Sequence, residues 1–189
     1  MDGNRRFARQ LDQPVLYGHA KGAVTGSNVL EWWLRYVVPH SSTTTTACRA
    51  SPKYLTCWAF SSENFSRPKE ETQALFRIME SEFKSLAFTS VIHLFRIRVC
   101  VIGGDAELAR LPMELRKTIE LLEDLTSGYD ELVLMLAVGY GGRREIVDSV
   151  RRLVCRGEEV SERSIGREMY CARLGVPPVD MIIRTSERR

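Results

Sequence analysis

Apolar residues recur along this chain at two different spacings. Spacings of three and four residues, typical of amphipathic helices, predict helices over residues 18–38, 68–88, 111–125, 143–154 and 161–174. Near-continuous apolar runs, typical of buried strands, predict strands over residues 54–60, 96–102, 132–138 and 180–184. Helices and strands therefore alternate, and this order favours an α/β fold with a central, mostly parallel sheet flanked by helices.

The length of the chain and one polar segment define the expected domain organisation. With 189 residues, the chain is predicted to form a single domain over residues 1–189, which would bury roughly 70% of the surface of the unfolded chain. Residues 40–53 interrupt the apolar pattern with the threonine-rich stretch HSSTTTTACRASPK. Since connections in such folds usually have about two to six residues, we predict a low-complexity, solvated insertion here.

Composition and charge restrict the class of protein. The net charge of +3 is too small to indicate nucleic-acid binding by bulk electrostatics. The five cysteines contain no C-x-x-C pair, which predicts reduced, buried thiols in a cytoplasmic protein rather than disulfides or a zinc site. The longest uncharged apolar run, residues 132–140, is much shorter than the ~20 residues of a membrane-spanning helix. Peripheral contact with a membrane is the form of membrane association that this pattern leaves open.

Arginine-containing stretches follow three of the predicted strands. They are SSENFSRP, GYGGRRE and RTSERR. Ligands of parallel α/β sheets collect beyond the carboxyl ends of the strands, and the planar guanidinium of arginine suits phosphate oxygens. The chain contains no Walker A sequence, no G-x-G-x-x-G and no D-D-x-x-D helix, so nucleotide-binding interpretations lose their main local support. A generic phosphate-binding module would explain the arginines.

Five sequence motifs together carry a more specific resemblance. They are MDGNRRFA at residues 1–8, GHAKG at 18–22, AFSSENFSRP at 59–68, YGGRREI at 140–146 and DMIIRTS at 180–186. In this order and at this spacing they resemble the cis-prenyltransferases, the family of undecaprenyl and dehydrodolichyl diphosphate synthases. A phosphate-binding module would not require five motifs in order. The resemblance therefore implies addition of isopentenyl diphosphate, with cis geometry, to an allylic diphosphate such as farnesyl diphosphate.

The resemblance also implies roles for individual residues. Asp2 would bind Mg²⁺ and assist departure of the diphosphate, and Ser61 and Asn64 would act near the reacting carbon as further catalytic residues. The residues implied for the allylic diphosphate are Gly3, Asn4, Arg5, Arg6 and His19. The residues implied for isopentenyl diphosphate are Arg67, Arg184 and Arg189. The predicted helix over residues 68–88 would form one wall of a hydrophobic tunnel for the growing chain, in addition to its part in the core.

Departures from the family pattern lead to two further expectations. Family members have an apolar strand before the DGN motif and a longer sequence after RTS, so we expect a domain without the first strand and the C-terminal part. Phe65, where bacterial members commonly have tryptophan, favours the eukaryotic type. The resemblance further implies a cytoplasmic enzyme at the cytosolic face of the endoplasmic reticulum, which forms a homodimer or a heterodimer with a related subunit. The alternatives are a non-catalytic partner subunit and an inactive fragment. The presence of Asp2 and Asn64 favours catalysis.

Overall fold

A five-stranded sheet organises the molecule, as seen in a computed structural model that describes residues 15–19 and 52–184. The strands are β1 Val15–His19, β2 Tyr54–Ser61, β3 Ile97–Ile102, β4 Leu132–Tyr140 and β5 Met181–Arg184. Their order across the sheet is β3-β4-β2-β1-β5. All four strand pairs are parallel. The prediction of a central parallel sheet is confirmed.

Seven helices and one 3₁₀ turn belong to the described part of the chain. The helices are α1 Lys69–Phe88, α2 Ser90–Leu94, α3 Asp105–Leu108, α4 Met113–Thr126, α5 Gly142–Cys155, α6 Glu162–Glu168 and α7 Tyr170–Arg173. The 3₁₀ turn spans Ser62–Ser66. The predicted helices over residues 68–88, 111–125 and 143–154 correspond to α1, α4 and α5. No helix of residues 52–184 is long and apolar enough to cross a membrane.

Two of the predicted helices are wrong in part. The helix expected over residues 161–174 is broken at Met169, whose backbone is extended with ψ 147°. The break occurs because the amide of Tyr170 donates to Glu145 Oε1 at 2.6 Å, which replaces a hydrogen bond within the helix. The helix expected from Gly18 conflicts with β1, which contains Gly18 and His19. Residues 20–38 lie outside the described residues, as does most of the insertion at 40–53.

The hydrophobic core lies on both faces of the sheet. On one face, Phe76, Met79 and Phe83 of α1 and Leu115 of α4 pack against the strands. These α1 residues recur at three- and four-residue spacing, so a single stripe enters the core, and each fully buried large side chain contributes roughly 1.5–3 kcal/mol. The opposite face is covered by a smaller cluster that includes Tyr170 and Val176.

Helix α5 turns its polar side inward and much of its apolar side outward. Glu145 and Ser149 are buried, whereas Ile146 is 48% exposed and Val154 61% exposed. The sequence pattern predicts the helix itself, but of the apolar residues that indicate it only Leu153 is buried, so the pattern marks the buried face only in part. Hydrogen bonds from neighbouring elements, described below, explain why the polar side points inward.

The outer edge of β3 is covered by side chains of α4. The amide of Val99 donates to Thr126 Oγ1 at 3.0 Å, and the amide of Val101 donates to Glu123 Oε1 at 2.7 Å. These backbone groups are thus satisfied by a helix instead of another strand. Burial raises the pKa of Glu123, although the hydrogen bond from Val101 opposes this shift.

The cysteines differ in their exposure. Cys100 is buried, and burial raises the pKa of Cys57 to about 12 and that of Cys171 to about 11. Cys57 and Cys171 are partly buried, and Cys155 is exposed at the end of α5. The prediction of buried cysteines is therefore confirmed at Cys100 and wrong at Cys155. The prediction for Cys48 lies outside the described residues.

Candidate functional site

The carboxyl ends of β2, β3 and β4 meet at one edge of the sheet. The register pairs Ser61 of β2 with Tyr140 of β4. An added Cβ on Gly103, directly after β3, would lie 1.9 Å from the carbonyl oxygen of Val138, so only glycine fits at this approach of the two backbones. Three connections therefore leave the sheet side by side, as expected for a parallel α/β fold, and those after β2 and β4 carry predicted polar motifs.

Ser61 and Asn64 form a reciprocal cap at the end of β2. The backbone amide of Asn64 donates to Ser61 Oγ at 3.2 Å, and the backbone amide of Ser61 donates to Asn64 Oδ1 at 2.8 Å. Ser61 Oγ also donates to Asn64 Oδ1 at 3.0 Å. This capping arrangement fixes the Ser62–Ser66 turn. The Asn64 oxygen is used within the turn, so the two N–H donors of its side chain are what it can offer to a ligand.

Arg67 places a positive charge directly after this turn. Its backbone amide donates to the Asn64 carbonyl at 3.2 Å, and its guanidinium forms an ion pair with Glu71. The side chain of Arg67 is 47% exposed. An exposed ion pair of this kind contributes about 0–1 kcal/mol, so an anionic ligand could displace Glu71 at small cost. Amide donors and a guanidinium thus lie together at the end of β2.

Phe65 connects the turn to the core and to the segment after β3. Its ring lies 4.9 Å from that of Phe60 in an edge-to-face arrangement and 6.0 Å from that of Phe76. The guanidinium carbon of Arg110 lies over the Phe65 ring, 4.0 Å from its centroid. This distance is well within the range of a cation–π interaction.

The glycines of the GYGG stretch allow close approach to the other connections. Gly139 has φ +63°, and an added Cβ would lie 2.7 Å from Glu107 Cβ and 3.5 Å from Phe65 Cε2. An added Cβ on Gly141 would lie 2.4 Å from Ser62 Oγ. The glycines therefore bring the end of β4 against both the Ser62–Ser66 turn and α3.

A polar network behind these glycines holds the start of α5. Glu145 accepts from the Tyr140 hydroxyl at 2.8 Å and from the Tyr170 amide at 2.6 Å. Asp148 accepts from the Tyr170 hydroxyl at 2.9 Å and pairs with Arg144 at 3.3 Å. Burial and the hydrogen bond to Asp148 raise the pKa of Tyr170. Arg144 is therefore engaged within the fold, which limits its use as a phosphate ligand.

The predicted site residues differ in what the structure describes of them. Ser61, Asn64 and Arg67 lie together as described above. The backbone register pairs His19 of β1 with Trp58 of β2 and with Arg184 of β5, so both predicted residues end strands at the same edge of the sheet. The predicted residues that lie outside the described residues are Asp2, Gly3, Asn4, Arg5, Arg6 and Arg189.

Several residues at this edge were not predicted from the sequence. They are Glu107, Arg110, Glu145, Asp148 and Tyr170. Glu145 belongs to the YGGRREI motif, which could have indicated it. The other four lie in segments without a recognisable motif, and their placement depends on contacts between distant parts of the chain.

Magnesium binding cannot be assigned within the described part of the chain. Residues 15–19 and 52–184 contain no group of three or more His, Cys, Asp or Glu arranged to hold a metal ion. The predicted ligand, Asp2, lies outside these residues. A Mg²⁺ site at Asp2 therefore stays a prediction.

Comparison with known proteins identifies the family. The family model described as "Putative undecaprenyl diphosphate synthase" matches residues 1–189. The chain belongs to this family of prenyltransferases. The resemblance carried by the five motifs is thereby confirmed.

One curated family member similar to the chain comes from Thermococcus kodakarensis. It is a tritrans,polycis-undecaprenyl-diphosphate synthase (geranylgeranyl-diphosphate specific), 38% identical over 193 residues, with 98% of this chain and 66% of the relative covered. The chain thus spans just under two thirds of the length of this relative.

Two solved structures similar to the chain share its fold. A probable undecaprenyl diphosphate synthase from Campylobacter jejuni has a TM-score of 0.70 at 23% identity and covers 94% of this chain and 77% of that one. Lavandulyl diphosphate synthase from Lavandula x intermedia, in complex with dimethylallyl diphosphate, has a TM-score of 0.68 at 26% identity, with 95% and 80% covered. These matches confirm the prediction of a cis-prenyltransferase-like α/β fold.

Proposed function

We propose that this protein is a cis-prenyltransferase that elongates an allylic diphosphate with isopentenyl diphosphate. The observation that carries the proposal is the family match over residues 1–189, supported by 38% identity to a polycis-prenyl diphosphate synthase. In the reaction, the double bond of isopentenyl diphosphate attacks C1 of the allylic substrate, inorganic diphosphate leaves, and a proton is lost to form the new double bond.

The chemistry of this reaction suits the residues at the carboxyl edge of the sheet. Negative charge develops on the departing diphosphate, so cationic and N–H donor groups must surround it. We assign the binding of isopentenyl diphosphate to Arg67, Arg184 and Arg189. We assign Ser61 and Asn64 a role beside the reacting carbon. We assign the allylic diphosphate to Gly3, Asn4, Arg5, Arg6 and His19. Mg²⁺, held by Asp2, would neutralise charge on the leaving group.

The identity of the allylic substrate and of the product belongs to this proposal. The relative from Thermococcus kodakarensis is named as specific for geranylgeranyl diphosphate, so we propose this diphosphate as the first acceptor to test, with farnesyl diphosphate as the second. A polyprenyl or dehydrodolichyl diphosphate would be the product. We also propose that the protein acts as a homodimer or as a heterodimer with a related subunit, in the cytoplasm at the cytosolic face of the endoplasmic reticulum.

The decisive experiment is incorporation of radiolabelled isopentenyl diphosphate into extractable lipid. The purified chain is incubated with Mg²⁺ and either acceptor, and product length is read by chromatography. We expect label in polyprenyl products with at least one acceptor. A folded chain that incorporates no label with either acceptor would contradict the proposal.

Two variants and one matched control test the assigned site. Arg67→Ala should raise KM for isopentenyl diphosphate about 10- to 100-fold, because a charge-assisted hydrogen bond contributes about 1.5–3 kcal/mol. Asn64→Ala should lower kcat through loss of the amide donors at the end of β2. Arg77→Ala removes an exposed arginine from the middle of α1 and should leave both constants unchanged. Equal effects of Arg67→Ala and Arg77→Ala would refute the assignment.

A further inference from the structure

The connection between β3 and α4 contacts two of the site's three strand ends. This connection includes α3 and is anchored in the core by Leu111, which is 3% exposed, and by Leu108, which is partly buried. From this anchored segment, Glu107 extends to Gly139 at the end of β4, and Arg110 extends to Phe65 in the turn after β2. The connection between β3 and α4 carries none of the site residues predicted from the sequence.

Phe65 contacts two aromatic rings and one cation. The rings of Phe60 and Phe76 belong to β2 and to the buried face of α1, so they form a rigid support. Arg110 adds a cation–π contact, with its guanidinium carbon over the Phe65 ring and 4.0 Å from the ring centroid. Rotation of the Phe65 ring out of this position would break both sets of contacts.

The position of Phe65 is coupled to those of Asn64 and Arg67 through the backbone of the turn. Phe65 is adjacent to Asn64 in a turn of five residues, and the Arg67 amide donates to the Asn64 carbonyl at 3.2 Å. A displacement of the Phe65 backbone would therefore move the side-chain N–H donors of Asn64 and the start of the Arg67 side chain together. Reacting groups must be held to about half an ångström for full activity.

We propose that Arg110 is a positioning residue, which orders the Ser62–Ser66 turn by stacking its guanidinium on Phe65. It acts on the reaction through Phe65 and Asn64, without contact to either diphosphate. The kinetic part of this inference rests on the proposed function. Its structural part, the coupling of Arg110 to the turn, does not.

A double-mutant cycle on the turnover number tests the kinetic part. Arg110→Ala should lower kcat about two- to fivefold with KM for isopentenyl diphosphate unchanged, as expected for loss of one cation–π contact. In the Phe65→Leu background the same substitution should have no further effect, because leucine offers no aromatic face. Arg110→Gln should behave like Arg110→Ala, and Arg116→Ala, at an exposed position of α4, serves as the control.

Two results would overturn the proposal in this assay. An equal loss from Arg110→Ala in the wild-type and Phe65→Leu backgrounds would mean that Arg110 acts independently of Phe65. A loss that resides in KM would instead indicate that Arg110 binds a diphosphate directly.

Amide hydrogen exchange tests the structural part without any turnover. In Arg110→Ala, the backbone amides of Asn64 and Arg67 should exchange about two- to fivefold faster than in wild type. The exchange rates of backbone amides in the middle of α1 should be unchanged. Unchanged exchange at Asn64 and Arg67 would overturn the proposal. If the wild-type chain incorporates no isopentenyl diphosphate, the proposed function fails, and the exchange experiment alone decides the role of Arg110.

Discussion

Substitution of Gly139 should destabilise the protein more than substitution of another glycine with the same backbone conformation. Gly139 and Gly157 have nearly equal values of φ, +63° and +68°. An added Cβ on Gly157 meets nothing within 4 Å, whereas one on Gly139 would lie 2.7 Å from Glu107 Cβ. Gly157→Ala therefore measures the cost of the left-handed conformation, and Gly139→Ala measures that cost together with the clash.

The expected magnitudes follow from these two contributions. An L-residue in the left-handed conformation costs about 1–2 kcal/mol, so Gly157→Ala should lower the free energy of unfolding by about that amount. The Cβ of Glu107 is fixed to its backbone and cannot rotate away, and a contact at 2.7 Å is far inside the ordinary separation of about 3.5–4.0 Å. Overpacking of this kind adds about 1–3 kcal/mol, which gives roughly 2–5 kcal/mol for Gly139→Ala.

Urea denaturation followed by circular dichroism measures both variants. The midpoint should fall further for Gly139→Ala than for Gly157→Ala, with the slope of the transition unchanged. Glu107→Gly removes the clashing Cβ. In the Glu107→Gly background, Gly139→Ala should therefore lower the free energy of unfolding by less than it does in the wild-type background. Equal destabilisation by Gly139→Ala and Gly157→Ala would refute the close packing of β4 against α3.

Two further predictions concern titratable side chains. Because Glu123 has a raised pKa in the folded state, the stability that it contributes is present below its ordinary value of 4.5 and is lost as the pH rises through the folded pKa. Glu123→Gln should therefore stabilise the protein, relative to wild type, more at pH 8 than at pH 4 in urea denaturation; an equal difference at both values would contradict this. At pH 8, iodoacetamide should label the exposed Cys155 within the time in which Cys57, whose pKa burial raises to about 12, stays unmodified. Mass spectrometry identifies the labelled sites, and equal labelling rates would contradict the raised pKa of Cys57.

The sequence predicts the elements that local pattern determines. The apolar run of β4 and the long stripe of α1 could each be recognised because burial demands a particular spacing of apolar residues. Strand β1 was missed, since VLYGH is short and ends in glycine and histidine, which give little strand signal. The break at Met169 could not be predicted, because it depends on Glu145, which lies 25 positions from Tyr170 in the chain.

The candidate site was predictable to the extent that it is contained in motifs. Ser61, Asn64 and Arg67 belong to one short stretch, and their mutual hydrogen bonds are local. The contact of Arg110 with Phe65 joins residues 45 positions apart, and nothing about an exposed arginine marks it in the sequence. Packing between connections therefore accounts for most of what pattern alone could not predict.

The hydrogen bonds from Val99 and Val101 to α4 have a consequence for association between molecules. An uncovered edge strand presents a row of backbone groups on which a strand from another chain can assemble. To assemble beside β3, such a strand would have to break the hydrogen bonds that Thr126 and Glu123 accept from Val99 and Val101, each of which contributes about 0.5–1.5 kcal/mol. Helix α4 thus protects this side of the sheet against edge-to-edge aggregation.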